Sequence, residues 1–304
     1  MARVLLTGAS GFVGRHLAPA LVAGGFDVVA CGRRSLPGVA FRAIDDIAAT
    51  DWSGLLAGVD AVVHAAGLAH TRDGGEGEYD RINTQATLRL AGQGVGRIGR
   101  LVFLSSIRAI AGPVSPAPLD ERTPPRPTDA YGRSKLKAEE GLARLDLPTV
   151  SLRPVVVYGE GVKGNLARLQ RLADTGLPLP FASLRAPRSF LAIDNLTSAI
   201  VFALGGRESG AQAFVVADPA PSCIADLVAG LREGLGRGAN LHACPPGLLG
   251  AAARLAGQEE AWATMAGPMA ASAAKLLGAG WRPPVTTSRE GARLWGGAAR
   301  GRRS

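Results

Sequence analysis

Apolar residues fall in short blocks along the first half of the chain, each bounded by glycine or aspartate. Between the blocks, apolar positions recur at helical spacing. The pattern predicts strands over 3–6, 27–31, 61–64, 101–104 and 149–152, and helices over 11–24, 79–94 and 131–144. Strands that are apolar at consecutive positions are buried on both faces, so the alternation predicts an α/β fold with a parallel sheet covered on both sides. Residues 113–127 are rich in proline and predict a surface loop leading into the helix at 131. After Gly159 the order changes. Glycine, proline and leucine are dense through Pro180, a strand–helix pair follows over 190–204, and from about 205 onward Ala/Gly/Leu helical segments alternate with turns. No internal repeat is visible.

Composition narrows the class. With 47% apolar and 19% charged residues among 304, the chain can bury a sizeable core and is not a disordered polymer. No apolar run reaches about 18 residues, so no integral membrane segment is expected. The chain enters its first strand directly after Met1-Ala2-Arg3, so no secretory leader is expected. Cys31, Cys223 and Cys244 are scattered and odd in number, which fits a reducing cytoplasm and not a disulfide framework. Four histidines and no paired Cys or His spacing give a metal site no support. The net charge of +9 invites a nucleic-acid reading, but the basic residues are dispersed. The one dense patch, Arg300, Arg302 and Arg303, reads as a solvated end, so no nucleic-acid partner is expected. Only four residues are lysine, which makes a well-placed Lys informative.

Three features carry chemistry. Gly8, Gly11 and Gly14 sit between the first strand and first helix, with Ser10, Phe12 and Val13 among them. Glycines there let the chain close a turn and approach a pyrophosphate, which the helix N-terminus then receives. Tyr131 and Lys135 lie one helical turn apart, on one face of the predicted helix. Three tyrosines and four lysines would make such a pair by chance only roughly 0.04 times in this length. An adjacent ammonium favours the phenolate, turning a poor acid–base group into a usable one. Ser106 closes an apolar strand, which puts a hydroxyl at the carboxyl edge of the sheet, where open α/β sheets bind ligands. Ser105 reads as a strand-end residue, and His64 as a satisfied strand-end histidine and not a base. The second strand ends in Cys31-Gly32-Arg33-Arg34, with no acid to hold the ribose hydroxyls of NAD. Arg33 and Arg34 there favour NADP over NAD, unless they are solvated loop arginines.

The three-residue glycine spacing, the Tyr131/Lys135 pair and Ser106 placed 25 positions before Tyr131 resemble the extended short-chain dehydrogenase/reductases, the NAD-dependent epimerase/dehydratase family. The resemblance covers nearly the whole chain. It implies a doubly wound, Rossmann-like NAD(P)-binding domain over 1–158, to which 186–204 return. A smaller C-terminal substrate domain is expected over 159–185 and 205–293, with a basic flexible tail at 294–304. The family implies that Asp46-Ile47 lie against adenine, that Ala65-Ala66-Gly67 pass under the cofactor, and that Asn83, Pro154 and Val157 support it. Asn165 and Arg188 would line the nucleotide diphosphate of a UDP-sugar, and residues 176–181 would run beside its base. Ser106, Tyr131 and Lys135 would be catalytic. A homodimer through the helices of Tyr79 and Tyr131 is expected on the same ground.

Departures choose among reactions. The dehydratases of the family carry an Asp-Glu pair after the catalytic Thr or Ser, whereas Ile107-Arg108 follow Ser106 here and cannot do that proton work. Val156 stands near a position where the epimerases commonly carry Asn facing the sugar. The expected activity is reduction at carbon 4 of a UDP-4-keto-6-deoxy-N-acetylhexosamine, for polysaccharide or O-antigen synthesis. The alternatives are a UDP-hexose 4-epimerase with tightly held NAD, a carbonyl reductase for another substrate, and a non-catalytic cofactor sensor.

Overall fold

The computed structural model describes residues 1–69, 75–206 and 210–301. In chain order the elements are β1 (Arg3–Thr7), α1 (Phe12–Ala23), β2 (Asp27–Gly32), β3 (Ala40–Ala43), β4 (Ala61–His64), α2 (Glu76–Tyr79), a π-turn (Asp80–Gln85) and α3 (Ala86–Gly94). Then come β5 (Arg100–Leu104), a 3-10 turn (Ile107–Ala109), β6 (Ser115–Leu119), α4 (Ala130–Leu142), β7 (Thr149–Pro154), β8 (Val156–Tyr158) and α5 (Gly164–Ala173). The chain continues through β9 (Phe190–Ala192), α6 (Ile193–Gly205), β10 (Ala211–Val216), α7 (Ile224–Gly234), α8 (Pro246–Leu255), α9 (Glu259–Ala266), β11 (Met269–Ala271), α10 (Ala274–Gly278) and α11 (Ser288–Gly301).

Two compact units result. The first comprises residues 1–112, 123–154 and 197–215 and holds a seven-stranded sheet in the order β10-β7-β5-β4-β1-β2-β3. The pairings from β3 across to β7 are all parallel. Every residue of β4 and β7 is buried, as strands covered on both faces require. Under one face Leu5, Val62, Leu101 and Phe103 pack with Trp52, Leu90 and Leu142. The strand order reverses between β1 and β4, and their carboxyl ends, Thr7 and His64, are register partners. Such a switch point is where open α/β sheets take ligands. The sheet is doubly wound, as the alternation of elements predicts.

The second unit comprises residues 113–122, 155–196 and 216–304. Its core gathers Phe181, Phe190, Leu227, Leu231 and Trp295 around Tyr158. Asp218 forms a buried polar knot there, accepting from the Ser288 hydroxyl (2.7 Å), Asn195 (2.8 Å), the Ala192 N–H (2.9 Å) and the Tyr158 hydroxyl (3.0 Å). Burial outweighs these donors and pushes the Asp218 carboxyl up from its ordinary value.

Four sequence expectations change. The 113–127 loop contains β6, which pairs parallel with β11. Pro116 and Pro118 are tolerated because they sit on a two-stranded ribbon, where a missing N–H breaks no central ladder. The region beyond 205 is not all helical, since β10 extends the main sheet beside β7. The return to the first unit runs over 197–215, so it shares 197–204 with the expected 186–204 but begins later and extends through β10. Residues 294–301, expected in a flexible tail, complete α11, with Trp295 and Ala299 in the core. Arg302 and Arg303 of that tail lie outside the described residues.

Candidate active site

The glycine loop forms where β1 meets α1. Gly8 has φ +70°, and a Cβ on it would lie 2.6 Å from the Ala66 nitrogen. Ala65-Ala66 therefore run directly against the turn, and only glycine at 8 allows both the left-handed backbone and the contact. A Cβ on Gly14 would overlap the carbonyls of Gly8 and Ala9, so glycine there lets α1 sit close on the strand end. Gly11 is the N-cap of α1, with no side-chain cap and no acid in the first turn. That leaves the first N–H groups of a 12-residue helix and their partial positive charge open to an anion. The cradle fits the pyrophosphate of a dinucleotide. Ser10 is exposed beside it, Phe12 and Val13 begin the helix half-buried, and Arg33 and Arg34 are exposed just past β2. Asp46 accepts from the Ala48 N–H (2.9 Å) and pairs with Arg81 (2.7 Å), which together hold its carboxyl below the usual range; Ile47 follows, half-buried.

Ser106, Tyr131 and Lys135 converge in the first unit. Ser106 lies two residues beyond β5, and its hydroxyl hydrogen-bonds Tyr131 near the start of α4. The protein around the ring pushes the Tyr131 phenol up, while Ser106 and the nearby Arg108 work against that. Lys135 is buried, donates to the Leu104 carbonyl (2.9 Å) and stands 4.7 Å above the Phe103 ring. Burial lowers its ammonium to about 8, and the charge of Glu139 partly opposes that. Asn83 sits on the π-turn, accepts from the Leu68 N–H (2.8 Å) and donates to the Leu68 carbonyl (2.9 Å) and the Ser134 hydroxyl (3.0 Å). It thereby ties Leu68, in the segment after β4, to the helix of Tyr131. A Cβ on Gly67 would lie 3.0 Å from the Asn83 oxygen and 3.2 Å from the Lys135 nitrogen, so the loop is packed against both.

The profile of the NAD dependent epimerase/dehydratase family matches residues 4–217. The chain belongs to this family. A UDP-glucose 4-epimerase of Vibrio cholerae is 35% identical over 240 residues, which is 74% of this chain and 73% of that protein. An N-acetyl-alpha-D-glucosaminyl-diphospho-ditrans,octacis-undecaprenol 4-epimerase of Escherichia coli O157:H7 is 28% identical over 245 residues, 77% of this chain and 72% of its own. The solved structure of MoeE5 in complex with UDP-glucose and NAD covers 100% of both chains, with 26% identity and a TM-score of 0.77. The chain is accordingly an enzyme of the NAD-dependent epimerase/dehydratase type.

Other family positions are divided between the units. Pro154 ends β7 in the first. Val157 on β8, Asn165 in the first turn of α5 and Arg188 before β9 belong to the second. Asn165 is exposed. Arg188 is buried and donates to the carbonyls of Gly267 (2.8 Å) and Pro113 (3.4 Å). His64 is a satisfied histidine, bonded to Thr7 (2.8 Å) and Thr87 (3.0 Å), and burial lowers it to about 3. It is neutral and has no free nitrogen for a proton relay.

Two features of the candidate site escape sequence reasoning. Beneath Lys135, Arg153 donates to Glu139 Oε2 from Nε (3.0 Å) and Nη2 (2.5 Å) and to Oε1 from Nε (3.1 Å), and the Ser105 hydroxyl donates to Oε1 of the same carboxylate. Both charged groups are buried. The available signal was Glu139, one turn beyond Lys135 on an otherwise inward face. The second feature is an ion pair between Arg108 and Asp129, at the start of α4. Among the described residues no cluster could hold a metal ion, and no helix is long and apolar enough to cross a membrane.

Proposed function

We propose that this enzyme is an NAD(P)-dependent oxidoreductase acting at carbon 4 of a nucleotide sugar, and that it reduces a UDP-4-keto-6-deoxy-N-acetylhexosamine with NADPH. The observation that carries the reading is Ser106 hydrogen-bonded to Tyr131, with Lys135 one turn along and Ile107-Arg108 where an eliminating enzyme needs acids. The glycine cradle would hold the pyrophosphate, Arg33 and Arg34 the ribose phosphate of NADP, and Lys135 the nicotinamide ribose. The cofactor, when bound, supplies the hydride. Ser106 donates to the carbon 4 carbonyl and orients it, and Tyr131 delivers the proton to that oxygen. The charge of Lys135 favours the phenolate left behind. Asn165 and Arg188 would serve the diphosphate, Arg188 by exchanging a backbone carbonyl for a phosphate oxygen.

The second reading is a UDP-hexose 4-epimerase that uses the same three residues in both directions with NAD retained. The Vibrio cholerae relative supports it. Purified protein offered UDP-4-keto-6-deoxy-N-acetylglucosamine with NADPH or NADH separates them. Stoichiometric oxidation of the dinucleotide, lost in Tyr131→Phe, is the expected result. No oxidation, together with conversion of UDP-glucose to UDP-galactose and NAD released only on denaturation, would replace the reductase by the epimerase.

A further inference from the structure

Arg108 touches the proton-transfer site in three ways, all within the first unit. Its backbone N–H donates to the Ser106 hydroxyl oxygen at 3.2 Å, fixing that side chain at the mouth of the 3-10 turn. Its guanidinium pairs with Asp129, whose other carboxylate oxygen caps α4 by accepting from the Gly132 N–H at 2.6 Å. Its carbonyl lies so close to Gly132 that any Cβ there would collide with it. One residue thus grips both Ser106 and the first turn of the helix that carries Tyr131. Its buried Nε has no hydrogen-bond partner among the described residues, an unfavourable arrangement that argues for a role beyond folding. The pairing is also partly exposed, where ion pairs contribute little to folding.

We propose that Arg108 is a positioning residue for proton transfer, joining Ser106 to the helix start that aims Tyr131. The proposal rests on the reading of Tyr131 and Ser106 as the proton-transfer pair. Arg108 also sets the charge around the phenol. The groups acting on the Tyr131 phenol are the Ser106 hydroxyl, Arg108 from the 3-10 turn, Asp129 at the helix cap and Tyr79 from α2, while the Lys135 ammonium on its own helix bonds the Leu104 carbonyl. Arg108 favours the phenolate and Asp129 opposes it. Clamping the two together holds the phenol between opposed charges.

The test compares Arg108→Gln, Arg108→Lys and Asp129→Asn with the parent, using circular dichroism to verify folding. Two readouts are taken: turnover of UDP-4-keto-6-deoxy-N-acetylglucosamine with NADPH, and the pH titration of the Tyr131 phenolate by ultraviolet absorbance, isolated by subtracting Tyr131→Phe. Arg108→Gln should lower kcat on the order of 10²-fold with KM little changed, as misplacement of reacting groups does. Its phenolate should form at higher pH, because a favouring cation is gone and Asp129 remains. Asp129→Asn should also lower kcat, but its phenolate should form at lower pH. Arg108→Lys should restore the titration and only part of kcat, since the charge returns without the planar fork. A residue that only supported the fold would not move the titration in opposite directions for the two partners. Unchanged kcat and titration in Arg108→Gln, with Tyr131→Phe inactive, would overturn the clamp alone. Full activity in Tyr131→Phe would overturn the proton-transfer reading beneath it. The titration needs no substrate, so it decides the charge effect even if the sugar is a different one.

Discussion

Lys135 depends on a group it does not donate to in the structure. Its ammonium is buried against the Leu104 carbonyl and the Phe103 ring, and the opposing charge comes from Glu139, itself locked by Arg153 and Ser105. In Glu139→Gln that support is lost, so Lys135 should give up its proton well below about 8. Activity that needs the charged lysine should then fall off at lower pH than in the parent, which a pH profile of kcat measures directly. The same change strands Arg153 without its carboxylate, and breaking a buried pair costs about 3–5 kcal/mol in urea unfolding. The parent itself carries a testable linkage. Folded Lys135 binds its proton less tightly than the unfolded chain, whose lysines titrate near 10.5. The penalty for burying the charge is therefore fully present below about 8 and relieved between there and 10.5, so this residue's contribution makes stability rise with pH across that window. Lys135→Met should flatten that rise, and an unaltered slope would remove Lys135 as its source. Arg33 and Arg34 give a second test of the same local kind. Both are exposed beyond β2, free to meet a ribose phosphate, and replacing both by serine should lower kcat/KM for NADPH on the order of tenfold while sparing NADH.

At the scale of elements, α11 is the most instructive. Its sequence, Ser288 to Gly301, is rich in glycine and arginine, a composition that reads as a solvated end. Yet Ala292, Trp295 and Ala299 recur at three and four positions and all reach the core of the second unit against α7. Periodicity was the informative signal and composition the misleading one. Trp295→Ala should therefore cost about 3–5 kcal/mol, as removal of a buried aromatic does. Deleting 294–304 should cost at least as much, and a thermal midpoint unchanged by that deletion would restore the flexible tail. The short strands were hidden for a different reason. β6 is Ser-Pro-Ala-Pro-Leu, and its pairing with β11 joins segments about 150 positions apart, which no local pattern reports. β10 is likewise identified by its partner β7, not by its own composition. The π-turn that carries Asn83 has no sequence signature at all; it is an irregularity of the kind that gathers at functional sites.

For the molecule as a whole, what was legible is what is contiguous. The glycine loop, the Tyr131/Lys135 pair and the apolar strands each declare themselves within a few residues, so the doubly wound sheet and the site's centre could be read directly. Glu139 with Arg153, Arg108 with Asp129, and the knot around Asp218 join distant segments, and their geometry exists only once the chain has folded. Association belongs to the same scale, and here the surface changes the expectation. The homodimer we infer from the family would join copies through the helices of Tyr79 and Tyr131. The outward positions there are Arg81 and Gln85 on the π-turn after α2, Arg89 on α3, and Lys137 and Glu140 along α4, with no large apolar side chain among those five. An interface of that composition is held by charge pairs and a few hydrogen bonds, and salt weakens such contacts as the screening length shrinks from about 10 Å at 0.1 M to about 3 Å at 1 M. Light scattering at micromolar protein should therefore give twice 31.2 kDa in dilute buffer and fall toward 31.2 kDa as salt rises. Arg89→Glu should shift that fall to lower salt. A monomer at every ionic strength would dispose of the dimer, and a dimer indifferent to salt would move its interface to an apolar surface elsewhere on the chain.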